Sequence, residues 1–319
     1  MSPATLLRPA SLAEACTLLA EGDQAMPYGG GTAVQILLKQ GVLFASALVD
    51  LARVPGLDEI SRTDEGLRVG AMVTLRRMET DPLVRAVAPL AARVYGRVAN
   101  PRVRNTASVG GNLAHGDYRL DPPTALLVLD ARLELHGVDG VRRVPIREFF
   151  TGLQRTALHP GELVAAVEIP AQPSPAAAFV KLSSQSAHDW PCASVAALVA
   201  ASPGRRRELR LGLGALAGTP VYLAEELSAG ADTEEVVRAA RSAADTVINP
   251  IPDIRGGAVF KRRLGLVAVE DAVRAAWVAA VELGTALDDM PGRPAADPAG
   301  EEQTDARRQA HRRWWRRGR

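Results

Sequence analysis

Two short glycine-rich runs have the residue types best suited to binding a ligand through backbone atoms. The first run is Tyr28-Gly29-Gly30-Gly31-Thr32-Ala33-Val34. The second run is Ser108-Val109-Gly110-Gly111-Asn112. Glycine has no Cβ, so its backbone can adopt positive φ angles and its N–H groups can approach a ligand closely. Successive exposed N–H groups form a concavity that suits phosphate oxygens without a basic side chain. Two such loops predict a ligand with a long phosphate-bearing spine, and a dinucleotide is the first candidate.

The elements predicted around the first run are a helix, a strand, a second helix and a second strand. Ser11 and Glu14 have the spacing of a capping box, and apolar residues follow at helical intervals as far as Gly22. A short strand leads into the glycine run. Beyond the run, residues 34–39 favour a helix that ends at Gly41, and residues 45–51 favour a buried strand.

The remaining pattern mixes helices and strands without a regular alternation. Strands are predicted over residues 59–62, 67–74, 163–169, 178–182, 193–201 and 208–216, and a hairpin over 131–144. Helices are predicted over residues 75–79, 83–98, 222–227, 233–246 and 260–283, while residues 122–129 fit either state. Prolines between Pro170 and Pro175 indicate a boundary, and residues 284–319 have a composition typical of disorder. An α+β chain of two domains and a tail is predicted.

The composition excludes several classes of protein. The chain has 319 residues, of which 47% are hydrophobic. It contains no run of about 18 apolar residues, so no membrane span is predicted. The net charge of +2 does not imply nucleic acid, and the basic residues 311–319 fit a solvated end. Cys16 and Cys192 are too few for a disulfide framework or a cysteine-ligated iron–sulfur cluster. A cytoplasmic protein is expected.

A Rossmann fold is one interpretation of the first glycine run. Gly29 and Gly31, followed by a helix and a strand ending near Asp50, imitate the glycine fingerprint and ribose-binding acid of a NAD-dependent dehydrogenase. However, Val34 stands where the third glycine is required, and Pro27 interrupts the preceding strand. This interpretation also leaves the second run unexplained, so it is the alternative hypothesis.

The residues around the second run extend it into a longer motif. Val103-Arg104-Asn105 precedes the run, and Ala114-His115 follows it on the way to Asp121. With the first run, these segments resemble the flavin-binding subunit of the molybdenum hydroxylases, the xanthine dehydrogenase and carbon monoxide dehydrogenase group. Further matching segments are residues 149–152, 160–163, 167–170, 179–181, 255–258 and 262–264. The resemblance covers about residues 5–278 in the family's order.

The resemblance implies an α+β fold of two domains. Residues 1–171 would form a two-lobed FAD-binding domain of the vanillyl-alcohol oxidase type, with lobes over about 1–54 and 55–171. Residues 175–280 would form a small C-terminal domain of the carbon monoxide dehydrogenase flavoprotein type, with an antiparallel sheet and helices. Residues 284–319 would remain as a tail.

The resemblance also implies a cofactor, FAD, and the residues that bind it. The first run would surround the FAD pyrophosphate with backbone amides, and the second would continue this cradle, with the Ser108 hydroxyl as a donor. Asp121 would accept a hydrogen bond from the ribityl or ribose part, although it could also cap the helix after Pro122. Val164 would make an apolar contact, and Lys181 would lie near the isoalloxazine ring unless it is a solvated edge residue. The full set is Gly29, Gly30, Gly31, Thr32, Ala33, Val34, Ser108, Val109, Gly110, Gly111, Asn112, Asp121, Val164 and Lys181. No catalytic side chain and no metal ligand is predicted.

Several residues near this set have no assigned role. Tyr118, Arg119 and Leu120 replace the proline and small residues that the family has before the aspartate. His115 is expected to be structural, because no nucleophile and no metal-ligand spacing accompanies it. The segment 188–190 matches a family region whose role the residues do not reveal.

The resemblance implies an oxidoreductase that transfers electrons as part of a heterotrimer. A molybdopterin-binding large subunit would oxidise the substrate, and a small [2Fe–2S] subunit would pass the electrons to FAD on this chain. The final acceptor would be NAD⁺, a quinone or oxygen. The alternative is a self-contained NAD-dependent dehydrogenase. A third hypothesis, an interaction module that works through its basic tail, predicts no bound cofactor.

Overall fold

Three main sheets follow one another along the chain, and each packs against helices. A computed structural model describes residues 4–203 and 206–288. Within these residues one of the main sheets is parallel, the other two are antiparallel, and helices are interspersed among them. The predicted α+β class is therefore confirmed.

The N-terminal sheet is parallel and carries the first glycine run. Its elements are β1(Thr5–Leu7), α1(Leu12–Glu21), β2(Ala25–Tyr28), α2(Val34–Lys39) and β3(Ala47–Asp50), with strand order β1-β3-β2. As the capping box predicts, the Ser11 Oγ accepts a hydrogen bond from the Glu14 N–H at 3.1 Å. Helix α2 ends before Gly41, whose φ of +68° suits glycine. The first glycine run joins the end of β2 to the start of α2.

The central sheet is antiparallel, and most of the helices lie between its strands in the chain. The elements are β4(Ile60–Arg62), β5(Gly66–Gly70), α3(Leu75–Thr80), α4(Pro82–Val87), α5(Pro89–Tyr95), α6(Pro101–Thr106), α7(Val109–Ala114), α8(Pro122–Val128), β6(Arg132–Gly137), β7(Gly140–Pro145), α9(Ile146–Phe149), β8(Phe150–Gly152), β9(Arg155–Thr156) and β10(Leu163–Pro170). The five main strands have the order β4-β5-β10-β6-β7, and β8 pairs with β9. The predicted hairpin is confirmed as β6 and β7.

Two helical regions differ from the prediction. The single helix predicted over residues 83–98 is divided into α4 and α5, because Ala88 leaves the helical conformation ahead of Pro89. The second glycine run, predicted as a loop, instead forms the beginning of helix α7, with Ser108 as its N-cap. Serine is a favoured N-cap residue, so the sequence carried this signal, but the two glycines that follow are poor helix formers and obscured it.

The C-terminal sheet is antiparallel and packs against two longer helices. Its elements are β11(Ala177–Leu182), β12(Ala193–Ser202), β13(Arg206–Gly214), β14(Val221–Ser228), α10(Thr233–Val247) and α11(Ala258–Asp288). The predicted helix over residues 222–227 is wrong, because these residues belong to β14, which pairs with β13. Tyr222 packs into one core cluster, and its neighbours Val221 and Leu223 pack into another. This period of two is typical of a strand.

Helix α8 packs closely against the C-terminal sheet. A Cβ added to Gly212 would lie 2.2 Å from the Thr124 carbonyl oxygen, so only glycine at this position of β13 allows the approach. Ala196 and Leu198 of β12 belong to the same buried cluster as the central sheet. The predicted boundary at residues 171–175 falls between β10 and β11, and it stays a prediction.

The predicted C-terminal tail is described only in part. Helix α11 continues beyond residue 284, where the tail was predicted to begin, and ends at Asp288. Residues 289–319, which include the basic segment and its tryptophans, lie outside the described residues.

Candidate cofactor-binding site

The two glycine runs lie directly against each other. A Cβ added to Gly29 would lie 2.7 Å from the Ser108 Oγ, and one added to Gly30 would lie 1.9 Å from the Thr106 carbonyl oxygen. A side chain at Gly30 would therefore force the two runs apart. Part of the requirement for glycine is thus the contact between the runs, and not only access for a ligand.

The first run offers a series of backbone donors to a ligand. Within residues 4–203 and 206–288, none of the N–H groups of residues 29–34 donates a hydrogen bond, although all six residues are half-buried. Gly31 has a φ of +69°, which turns the backbone in the way glycine permits. Half-buried N–H groups without acceptors are unfavourable, and oxygen atoms of a phosphate would satisfy them. The first run therefore fits the pyrophosphate of a dinucleotide.

The second run uses most of its backbone donors within the protein. The Val109 N–H donates to the Val73 carbonyl at 2.9 Å, and the Gly110 N–H donates to the Ala71 carbonyl at 2.8 Å. The Ser108 Oγ accepts from the Gly111 N–H at 3.3 Å, so it caps α7 and keeps its own proton free to donate. The second run thus offers side chains more than amides to a ligand. The buried Asn112 Oδ1, which has no hydrogen-bond partner among the described residues, is one such group.

Asp121 and Lys181 form a buried ion pair. The Lys181 Nζ lies 2.6 Å from the Asp121 Oδ2, and their side chains are only 2% and 4% exposed, respectively. Lys181 is therefore not a solvated edge residue. The Asp121 side chain makes no capping hydrogen bond to helix α8, so the capping interpretation is wrong. The fold brings together two residues of the predicted set that are 60 positions apart.

The Asp121 carboxylate retains capacity for a further hydrogen bond. Its Oδ1 is buried and has no hydrogen-bond partner among the described residues, and the same holds for the Ser194 hydroxyl nearby. Burial raises the pKa of Asp121 to about 6, against the opposing effects of the Lys181 ammonium and of the Ser194 hydroxyl, which lies close to the carboxylate without making a hydrogen bond of normal geometry. A hydroxyl of a bound ligand would give Oδ1 the partner it lacks. Asp121 therefore fits a ribityl or ribose group.

Val164 lies at an irregularity of strand β10. The register with β6 shifts between Val164 and Ala166, and the Ala165 carbonyl accepts from the Ala71 N–H at 2.9 Å. Because Ala71 also bonds to Gly110, this part of β10 lies close to the second glycine run. The Val164 side chain is buried in the central core. Its contact with a cofactor stays a prediction.

A turn between α5 and α6 was missed by the sequence reasoning. The carbonyls of residues 97–99 accept hydrogen bonds from three side chains: Lys181 at 3.1 Å, Arg104 at 2.9 Å and His188 at 3.0 Å. Arg104 is buried and also pairs with Glu79 at 3.0 Å. The Val-Arg-Asn motif that contains Arg104 could have indicated this role. The turn ties the Lys181 side chain to the start of the helix that leads into the second glycine run.

The remaining chemistry-bearing residues do not form a separate centre. His115 is the C-cap of α7, and burial lowers its pKa, so its imidazole is neutral at pH 7. No group of three or more potential metal ligands occurs among residues 4–203 and 206–288. No helix in the same ranges is long and apolar enough to cross a membrane.

Comparison with known proteins identifies the class defined by this fold and site. Residues 2–172 match the family described as the FAD binding domain in molybdopterin dehydrogenase, and residues 178–276 match the CO dehydrogenase flavoprotein C-terminal domain. The chain is thus a FAD-binding subunit of an oxidoreductase. It belongs to the molybdenum hydroxylase family, as the motifs predicted, and its cofactor is FAD.

Relatives of the chain include medium chains and FAD-binding subunits. The carbon monoxide dehydrogenase medium chain of Hydrogenophaga pseudoflava is 32% identical over 84% of this chain and 95% of its own length. The putative xanthine dehydrogenase FAD-binding subunit XdhB of Escherichia coli (strain K12) is 35% identical over 67% of this chain and 74% of its own length. Among solved structures, a chain of quinoline 2-oxidoreductase from Pseudomonas putida 86 matches with a TM-score of 0.79 and 30% identity. That match covers 88% of this chain and 98% of the other.

The NAD-dependent dehydrogenase alternative is not supported. The family matches assign FAD to the chain, and Asp50 has a local partner, because its Oδ1 accepts from the Ala52 N–H at 3.0 Å. The N-terminal sheet of three strands carries Pro27 in β2, next to the glycine run. The spacing of Gly29 and Gly31 therefore imitated a Rossmann fingerprint without its surrounding fold.

Proposed function

We propose that the chain is the FAD-binding electron-transfer subunit of a heterotrimeric molybdenum hydroxylase. Its partners would be a molybdopterin-binding large subunit and a small [2Fe–2S] subunit. The two cysteines of the sequence support this division, because they cannot ligate a [2Fe–2S] cluster, which needs four thiolates. Both are buried as free thiols, which supports a reducing compartment such as the cytoplasm.

The observation that carries this proposal is the row of unpaired amides in the first glycine run. The N–H groups of residues 29–34 would bind the FAD pyrophosphate, and the adjoining Ser108 hydroxyl and Asn112 amide would extend the cradle. Because these donors are held by β2, α2 and α7, they are arranged before the cofactor arrives. Such preorganisation favours tight binding without a basic side chain.

The buried pair would act on the other part of the cofactor. Asp121 would accept a hydrogen bond from a ribityl or ribose hydroxyl through Oδ1, and Lys181 would place its positive charge near the isoalloxazine ring. Bound FAD supplies the redox chemistry, accepting electrons from one partner and passing them to another. A positive charge close to the ring stabilises its reduced, anionic form. Val164 would contact the cofactor with its apolar side chain.

The domain boundaries follow from the same proposal. Residues 1–171 would bind FAD in two lobes, and residues 175–280 would supply Lys181 from the C-terminal domain. The final electron acceptor would be NAD⁺, a quinone or oxygen, any of which can reoxidise a reduced flavin.

The visible absorption spectrum of the purified chain is the first test. A flavin spectrum is expected, and acid should release FAD in a ratio near one per chain. Gly111→Trp should abolish binding, because Gly111 contacts the Ser108 Oγ at the start of α7. Asp50→Ala is the matched control and should retain FAD. A folded, colourless wild-type protein that does not take up added FAD would refute the proposal.

The partners require a separate experiment. Co-expression with a molybdopterin-binding large protein and a small cysteine-rich protein from neighbouring genes should yield one complex that contains FAD. Reduction of the complex by its substrate should bleach the flavin spectrum. A flavin that stays oxidised while the molybdenum centre is reduced would refute the proposed electron flow.

A further inference from the structure

A cluster of six charged side chains lies beside the segment that leads to Asp121. Its members, called here the Asp253 cluster, are Asp117, Arg119, Asp189, Asp253, Arg255 and Lys261. Three carboxylates face three cations, so the cluster is electrically balanced and is not suited to capture a free ion. We propose that it positions the Asp121–Lys181 pair toward the FAD, with Arg119 as its principal positioning residue. This inference rests on the proposed function.

Arg119 is held from several directions. Its guanidinium donates to Asp117 through two hydrogen bonds of 2.9 and 2.6 Å, and it lies 3.6 Å from the Asp253 carboxylate. It also lies over the rings of Trp190 and Tyr118, at 4.9 and 5.2 Å from their centroids. A bidentate pair together with two ring contacts fixes both the position and the plane of an arginine. Arg119 is therefore a rigid connector between its neighbours.

Asp253 joins this arginine to the rest of the cluster. Its Oδ1 lies 2.8 Å from the Nζ of Lys261, which is fully buried and also donates to the Ile251 carbonyl. Arg255 lies 3.8 Å from Asp253 and makes a bidentate contact with Asp189, at 2.8 and 3.0 Å. Lys261 is buried and the other three residues are partly buried, so each charge depends on its close partner. Displacement of one member therefore disturbs the others.

The cluster connects the chain segments that carry the two members of the buried pair. Arg119 is two residues before Asp121, and the carbonyl of Tyr118, the residue that precedes Arg119, accepts from the Ala215 N–H at 3.0 Å. Asp189 lies in the loop that follows β11, the strand that contains Lys181. The third segment, residues 253–261, includes the start of α11 and binds both of the others, through Asp253 to Arg119 and through Arg255 to Asp189. The cluster thus fixes the approaches to Asp121 and Lys181 relative to each other.

The sequence observation agrees with this role. Tyr118 and Arg119 depart from the residues that the family has before the aspartate, and Arg119 is the residue that contacts Trp190 and Asp253. This connection, two residues before Asp121, would adjust the environment of the flavin in this particular protein.

The test compares FAD-loaded variants by dissociation constant and by midpoint potential. We expect Arg119→Gln to weaken FAD binding roughly tenfold, the usual size of coupling between touching groups, and to shift the midpoint potential. Arg119→Lys keeps the charge but loses the bidentate geometry. Its dissociation constant for FAD and its midpoint potential should both lie between those of Arg119→Gln and the wild type. Arg274→Gln is the matched control, because Arg274 makes a bidentate pair with Glu234 elsewhere on α11. The control should leave both quantities unchanged.

A second pair of variants distinguishes positioning from a general loss of stability. In a Lys181→Met background, Arg119→Gln should cause no further shift in potential, since its effect passes through the buried pair. Equal shifts in both backgrounds, or a wild-type potential and dissociation constant in Arg119→Gln and Arg119→Lys, would overturn the inference. If Lys181→Met alone retains the wild-type potential, the role proposed for Lys181 fails as well. If Lys181→Met shifts the midpoint potential and Arg119→Gln does not, only the positioning role of Arg119 is overturned.

Discussion

The Asp121–Lys181 pair shows how much a single buried contact depends on its surroundings. Two charges removed from water are stable only with close partners, and here the closest partner of each is the other, at 2.6 Å. Asp121 still has an oxygen without a partner in the described part of the chain. A pair that is tightly held but incompletely satisfied is typical of a binding site rather than of a structural core.

The titration of Asp121 gives a prediction about stability. Burial raises its pKa from 3.8 to about 6, so the folded protein binds a proton more strongly than the unfolded chain does. The contribution of Asp121 is therefore fully present below pH 4 and is lost as the pH rises through 6. The free energy of unfolding of Asp121→Asn, taken relative to that of the wild type, should therefore rise by on the order of 3 kcal/mol between pH 4 and pH 7. Urea unfolding of the FAD-free protein at both pH values measures this difference, and a constant difference would contradict it.

Gly30 gives a prediction about the contact between the glycine runs. Gly30→Ala would place a Cβ 1.9 Å from the Thr106 carbonyl oxygen, and the backbone must move to avoid it. We expect a loss of about 1–3 kcal/mol in the free energy of unfolding, together with loss of bound FAD. Gly218→Ala is the control, because a Cβ there meets no atom within 4 Å. Wild-type FAD content in Gly30→Ala would show that the runs need not touch.

At the scale of elements, helix α7 links local capping to the cofactor site. Ser108 caps α7 in the manner that Asp232 caps α10, where the Asp232 Oδ1 accepts from the Glu234 N–H at 2.9 Å. The two caps are equivalent in kind, but only Ser108 adjoins the first glycine run. The effects of removing the Ser108 cap and the Asp232 cap on stability and on FAD binding can therefore be compared directly.

Removal of either cap should cost similar stability but affect FAD differently. Ser108→Ala and Asp232→Ala are each expected to lower the free energy of unfolding by about 1 kcal/mol. Only Ser108→Ala should also weaken FAD binding, because it removes a hydroxyl from the proposed cradle. Chemical denaturation and fluorescence titration with FAD measure the two effects. Equal FAD affinity in both variants would exclude Ser108 from the site.

The elements also show which sequence signals were reliable. The capping box at Ser11 and the hairpin over residues 131–144 were predicted and are present, because both depend on residues close in the chain. Strand β14 was predicted as a helix over residues 222–227, since this short segment, with two glutamates among its apolar residues, fits either period. Its eight-residue pairing with the preceding strand β13, which no single-segment pattern records, decided the outcome.

At the scale of the whole molecule, the site depends on the contact between helix α8 and the C-terminal sheet. Gly212 permits this contact, which places Asp121 at the start of α8 beside Lys181 on β11. The two residues come from opposite sides of the predicted domain boundary. A change in this packing should therefore affect the site even though it touches neither residue.

Gly212→Ala tests this dependence. A Cβ at residue 212 would lie 2.2 Å from the Thr124 carbonyl oxygen, so α8 must move away from β13. We expect a loss of about 1–3 kcal/mol in stability and a lower FAD affinity, because Asp121 moves with the helix. Gly230→Ala, where a Cβ meets no atom within 4 Å, should change neither quantity. An unchanged FAD affinity in Gly212→Ala would mean that the pair does not contribute to binding.

The sequence by itself determined the family, the cofactor, the α+β class and the two segments suited to a pyrophosphate. These features depend on local residue types, since glycine runs and caps act through their own backbone. Only the tertiary structure decided that the N–H groups of the first run make no hydrogen bonds within the described residues, while those of Val109 and Gly110 in the second run donate to the Val73 and Ala71 carbonyls. The structure also decided that Asp121 meets Lys181 and that Arg119 is locked between Asp117, Asp253 and Trp190. Apart from the pair of Arg119 with Asp117, these contacts join residues far apart in the chain, and no periodicity or spacing records which distant side chains will meet.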